Sequence, residues 1–186
     1  MTPADFHAQD HSMTRLDIST GMAFNEFQAV FEKAAPYFDA EDAIRRFTTG
    51  GGKSWDDMAA QVADLAPNGL MIYARIDITP ALALAGHATK AVEYLMGNHV
   101  IAETMLRRDT KAALYAPLRI LVHSDPSGNA IFSLDQPSTA FSSLGIDEVT
   151  QVGKGLDRKV AALLRVVGVD ADEAFSAGPN ESPRLR

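Results

Sequence analysis

Whatever chemistry this chain of 186 residues performs must use oxygen and nitrogen, because it contains no cysteine. Disulfides, thiolate nucleophiles, cysteine-ligated zinc and iron–sulfur clusters are therefore excluded together. Five histidines remain as the natural acid–base and metal-ligating groups. His7 and His11 stand four apart beside Asp5 and Asp10, a spacing that on a helix brings two imidazoles and a carboxylate to one side. Terminal polar segments usually fray, so no metal site is expected there. His87, His99 and His123 are scattered. Among them His99 stands out, since it falls at a helix start, where the amide dipoles disfavour imidazolium.

Gly50-Gly51-Gly52-Lys53-Ser54 contains the Gly-Lys-Ser of a phosphate-binding loop. The spacing defeats that reading: the first glycine of the motif should occupy position 47, which is Phe47, and the preceding segment reads as helix where a strand is required. A hinge followed by a helix N-cap is the expected structure. No Gly-x-Ser-x-Gly elbow and no His-Glu-x-x-His pattern is present. Asp77, at a strand end, is a possible acid–base carboxylate, although such a group usually faces water. Arg119 is a candidate anion clamp, whereas Arg107 and Arg108 read as favourable charges at a helix C-terminus.

The elements that must position these groups follow from hydrophobic spacing. Thr14 to Ser19 reads as an edge strand. Phe24, Phe27, Val30, Phe31 and Ala34 form an amphipathic helical stripe that stops before Pro36. Ser54 with Asp57 resembles a capping box opening a second helix, with Trp55, Met58, Ala59, Val62 and Leu65 as its apolar stripe and Pro67-Asn68-Gly69 as its end. From Leu70 the period becomes two, with Leu70, Ile72, Ala74, Ile76 and Ile78 opposite Met71, Tyr73, Arg75 and Asp77. Thr79 and Pro80 then start a short helix closed by Gly86.

A second strand alternates Lys90, Val92, Tyr94 and Met96 with Ala91, Glu93 and Leu95. Asn98 caps the helix after it, which carries Ile101, Met105 and Leu106. Leu118, Ile120 and Val122, then Ala130, Phe132 and Leu134, flank the turn Asp125 to Asn129 and make a β-hairpin. Val149, Val152, Leu156, Val160, Leu163 and Val167 share one helical stripe, weakened by Gly153 and Gly155. The chain divides into an N-terminal extension, 1–50, a main domain, 51–168, and a tail, 169–186, with the composition of a disordered segment.

The hairpin enforces antiparallel pairing, so the expected class is α+β: a two-layer sandwich of a twisted antiparallel sheet with helices on one face. Met71, Tyr73, Tyr94 and Leu121 are assigned to the other face, which is rather apolar for water. A homodimer is the expected consequence. The net charge of −7 disfavours nucleic acid. No stretch suits a membrane span and the N-terminus lacks the pattern of a signal peptide, so a cytoplasmic protein is expected.

Gly69-Leu70-Met71-Ile72-Tyr73-Ala74-Arg75-Ile76-Asp77, Tyr94-Leu95-Met96-Gly97-Asn98-His99-Val100-Ile101-Ala102 and Ala113 to Val122 resemble, in that order, the domain-of-unknown-function 302 family. The resemblance spans about Ser54 to Val167. It implies a β-α-β4-α, TBP-like fold with a curved sheet and a long C-terminal helix, commonly dimeric, and supplies no activity. The family usually has Asn-Pro where this chain has Asn98-His99, and often a Cys where it has Leu118.

Two functional readings follow. In the first, a non-catalytic homodimer holds a small apolar or anionic molecule, without a cofactor, in a groove near Asn98, Tyr115 and Arg119. In the second, a small enzyme uses His99 as acid or base, Asn98 as a donor and Arg119 as a clamp. Haem or metal binding through His99 or His123 is a third possibility.

Overall fold

Alternating burial along five segments generates one sheet. The computed structural model describes residues 2, 4–39, 41, 45 and 54–176. Its strands are β1 (Arg15–Ala23), β2 (Met71–Asp77), β3 (Ala91–Gly97), β4 (Leu118–Ser124) and β5 (Asn129–Asp135). They pair antiparallel throughout, in the order β1-β5-β4-β3-β2. The hairpin is β4–β5; its turn closes at Gly128, whose φ of 87° belongs to glycine.

The described helices are α1 (Phe24–Ala34), α2 (Trp55–Leu65), α3 (Thr79–Leu84), α4 (His99–Leu106), α5 (Pro137–Ser142), α6 (Asp147–Val166) and α7 (Asp172–Ser176), with a 3-10 turn at Thr110–Leu114. None is long and apolar enough to cross a membrane. The main core lies where α1 and α6 cover one sheet face: Phe27, Phe31, Val160 and Leu163 meet Tyr94, Ile120, Val122 and Phe132, all buried. Phe31 sits edge-on to both Tyr94 and Phe132. The result is a two-layer α+β fold.

The strand and helix expected before residue 50 are present, and both belong to this sheet and core: β1 pairs with β5, and α1 supplies Phe24, Phe27 and Phe31. Val30, read into that stripe, is exposed, as are Trp55 and Leu65 of the second stripe. The capping box forms as spelled: Asp57 N–H donates to Ser54 Oγ, and Ser54 N–H donates to the Asp57 carboxylate at 2.8 Å. The glycine run Gly50 to Gly52 and Lys53 lie outside the described residues. Residues 169–176, expected in a disordered tail, are packed instead, because Val169 and Ala171 join the core before α7.

The apolar second face needs the largest correction. Tyr94 is in the main core, Met71 lies beneath Val62 and Ala66 of the α2 segment, and Tyr73 packs on Phe38 and His99. Only Leu121 of the four faces outward. On β2 the reasons are two: the α2 segment covers Met71, which lies before the register shift between Ile72 and Ala74, and that shift turns the strand beyond it. Past that irregularity, Arg75 pairs with Tyr94 on the core side, and Ile76, opposite Glu93, turns to the uncovered face.

Gly153, read as a weakness in α6, is a contact: a Cβ there would lie 3.0 Å from Ser138 Cα. One turn on, the buried Asp157 carboxylate accepts from Ser138 N–H and Gln136 Nε2, both at 2.9 Å, satisfying the start of α5 from a neighbouring helix.

Candidate functional site

The corner Gly97-Asn98-His99 joins β3 to α4 and organises its surroundings. Gly97 is required because a Cβ would lie 2.8 Å from the Tyr73 ring. Asn98 caps α4, its Oδ1 accepting from Val100 and Ile101 N–H at 3.0 and 3.2 Å, while its Nδ2 donates to Gly69 C=O at 3.1 Å. Both ends of the amide are thus engaged by backbone, which makes Asn98 a clamp on the site. His99 lies stacked against Tyr73 and 4.5 Å, centroid to centroid, from Phe38. Burial lowers its pKa, and burial pushes the Tyr73 phenol up to about 12, the His99 backbone N–H opposing that rise. At neutral pH both rings are uncharged.

The five residues singled out from sequence are dispersed. Tyr115 and Arg119 share a groove of about 350 Å³ with Leu95, Pro117 and Phe141. Arg119 is paired with Glu93 at 2.9 Å, and the Tyr115 hydroxyl meets His11 Nε2 at 3.1 Å. Asn98 lines a different cavity, and His99 contacts the Phe38–Tyr73 pair. Asp77 is tied to Arg75 and to Thr79 N–H at the far end of β2. Burial raises its pKa, but hydrogen bonds from Thr79 and Arg75 outweigh burial and hold the carboxyl low. His123 lies on the uncovered face, with Nε2 3.3 Å from Ser133 Oγ, and Ser133 donates to Asp17 at 2.5 Å. Serine is the middle member and its proton points to the carboxylate, so this chain of contacts does not activate a nucleophile. Among the described residues no cluster of His, Asp and Glu is arranged to hold a metal ion.

A further concave feature has no distinctive marker in the sequence. It is an open groove of about 760 Å³ between α2, α4 and α6, walled by Ala59, Val62, Val100, Ile101, Ala162 and Val166. That size and apolar lining suit a small organic ligand. The only signal in the sequence was a set of small residues, Ala59, Ala63 and Ala66 on one side and Gly155 and Ala162 on the other. Without knowing that these segments face each other, such residues read as ordinary helix surface.

Residues 48–166, which hold this groove and the Asn98 corner, match the family described as Domain of unknown function DUF302. The chain belongs to the DUF302 family. A solved structure, that of an uncharacterized conserved DUF302 protein from Bacillus stearothermophilus, has the same fold, with a TM-score of 0.60 at 13% identity over 84% of this chain and 99% of that one. No curated protein matches. In this DUF302 protein the fold extends before the matched segment, since β1 forms one edge of the sheet and α1 supplies part of the core.

Proposed function

We propose that this protein is a non-catalytic binding module that holds a small apolar molecule in the groove between α2, α4 and α6. The observation that carries the reading is the groove itself, about 760 Å³ and bounded mainly by aliphatic side chains. His99 is engaged by Tyr73 and His123 by Ser133. The test is isothermal titration with decanol and decanoate, against the wild-type protein and Ala162→Phe, which places a ring inside the groove. Saturable binding lost in that variant supports the reading; binding that survives it, or no binding of either probe, refutes it.

The module works as a homodimer through the face of the sheet opposite α1 and α6. Supporting this, Leu95, Leu121 and Ile131 are only partly buried on that face and Ile76 is 48% exposed. Isolated apolar residues are ordinary on a surface, but these four lie diagonally on neighbouring strands, with Glu93, Arg119 and Ser133 among them, and such a run favours a partner of the same kind. Sedimentation equilibrium should give twice the 20.0 kDa chain mass and Leu121→Lys should restore the monomer. A wild-type monomer at high concentration would sink the dimer without touching the groove.

A further inference from the structure

Resting on that reading of the groove, the geometry points to a ligand class: we infer that it takes a single-chain amphipathic anion, its acidic head held by Arg158 and Lys159 and its apolar tail laid between α2 and α6. Among the described residues, Arg158 and Lys159 are the only charged ones that line the groove, and no carboxylate lines it. Their heads lie on its surface. The Lys159 ammonium is 2.8 Å from where a Cβ on Gly69 would stand, and an Arg158 Nη2 is 3.9 Å from the corresponding position on Gly155, both glycines belonging to the lining.

Neither cation has a counter-ion among the described residues, as is also true of Lys33, Lys90 and Lys154. The chain carries a net charge of −7, so carboxylates are in excess. Arg15, Arg75, Arg107, Arg108, Lys111, Arg119 and Arg165 each reach one. Adjacent residues on a helix point about 100° apart, yet Arg158 and Lys159 both reach this groove, one over each wall. Lys159 is half-buried there. A partly desolvated ammonium without a partner is unfavourable, and an incoming anion relieves it while the guanidinium offers two parallel N–H donors to a carboxylate. The aliphatic walls exclude a small inorganic anion as the preferred ligand, since they offer such an ion no donors.

The experiment compares decanoate and decanol, equal in chain length and different in charge, by isothermal titration to the wild-type chain, Arg158→Gln, Lys159→Met and the double variant, each checked for folding by circular dichroism. Expected is 1:1 decanoate binding at least tenfold tighter than decanol, weakened about tenfold in each single variant, with decanol affinity unchanged in all. Arg158 is exposed, so its variant remains informative if Lys159→Met folds poorly. Equal binding of the two probes, insensitive to both substitutions, overturns the anion inference and leaves the apolar groove standing. Failure of both probes to bind removes the groove reading, and the inference with it.

Discussion

The Tyr73 hydroxyl lies 3.0 Å from Nδ1 of His99. The His99 backbone N–H opposes the rise that burial gives the phenol pKa. The pair is a neutral, half-buried unit where the first half of β2 meets the start of α4. Burial lowers the His99 pKa from its ordinary value of 6.5, so the unfolded chain takes up this proton at higher pH than the folded one. The sign follows: His99 has no effect on stability well above 6.5, and the protein loses stability as pH falls through 6.5, levelling only below the folded pKa. His99→Gln should flatten that part of the stability–pH curve in urea titrations. An NMR titration placing the His99 midpoint at or above 6.5 would contradict it.

A second network joins α1 to the sheet. The Glu32 carboxylate accepts from the Tyr94 hydroxyl at 2.7 Å, Gln28 Nε2 at 3.0 Å and Arg75 Nε at 3.1 Å. Burial raises the Glu32 pKa, but these donors outweigh burial and the net shift is downward. The stabilisation is therefore present above the ordinary value of 4.5 and disappears as pH falls through the lower folded value. Tyr94→Phe removes one hydrogen bond and should cost about 1 kcal/mol, whereas Glu32→Ala strands the buried hydroxyl as well and should cost about 2–3 kcal/mol. Chemical denaturation at pH 7 and pH 3 tests both the order and its decline in acid.

These two networks mark the limit of what the sequence discloses. The period-two runs locate β2 to β5, the Asp125-to-Asn129 turn specifies the hairpin, and Ser54 with Asp57 specifies a cap, because each signal is local. Placing Tyr94 on the uncovered face conflicts with the alternation itself, which sets it with Val92 and Met96 on the side that the core covers. Its partner Glu32 is distant in sequence and reaches it only after α1 packs. The β2 irregularity is equally invisible, since Ile72, Ala74 and Ile76 alternate perfectly while the register between them shifts. The groove depends on α2 meeting α6, a tertiary fact. Its chemistry rests on Arg158 and Lys159, which in sequence are merely part of the polar side of a helix.

The two glycines of α6 separate packing from propensity. A Cβ at Gly153 would stand 3.0 Å from Ser138 Cα and 3.2 Å from the Pro137 carbonyl oxygen, both backbone atoms. Gly153→Ala should therefore destabilise by about 1–3 kcal/mol, the range for overpacking. At Gly155 the nearest contact is the flexible Arg158 head at 3.9 Å, and Gly155→Ala should stabilise by up to about 1 kcal/mol through helix propensity. Thermal melts of the two variants should move in opposite directions. A common direction would mean that the α5–α6 contact is looser than these distances.

Asn98 tests whether the corner clamps the groove or binds its occupant. Asn98→Asp keeps the acceptor that caps Val100 and Ile101 N–H but loses the amide donor to Gly69 C=O. Asn98→Ala loses both and should cost about 1–2 kcal/mol, mostly from the cap. Asn98→Asp should cost less, because a carboxylate at a helix N-terminus is favourable. Its effect on ligand is the reverse. The new charge enters the lining that Arg158 and Lys159 share, so decanoate should bind more weakly while decanol is little changed. Stability and affinity then rank the two variants in opposite orders. If Asn98 contacted the ligand as a neutral donor, the two would instead weaken both probes together.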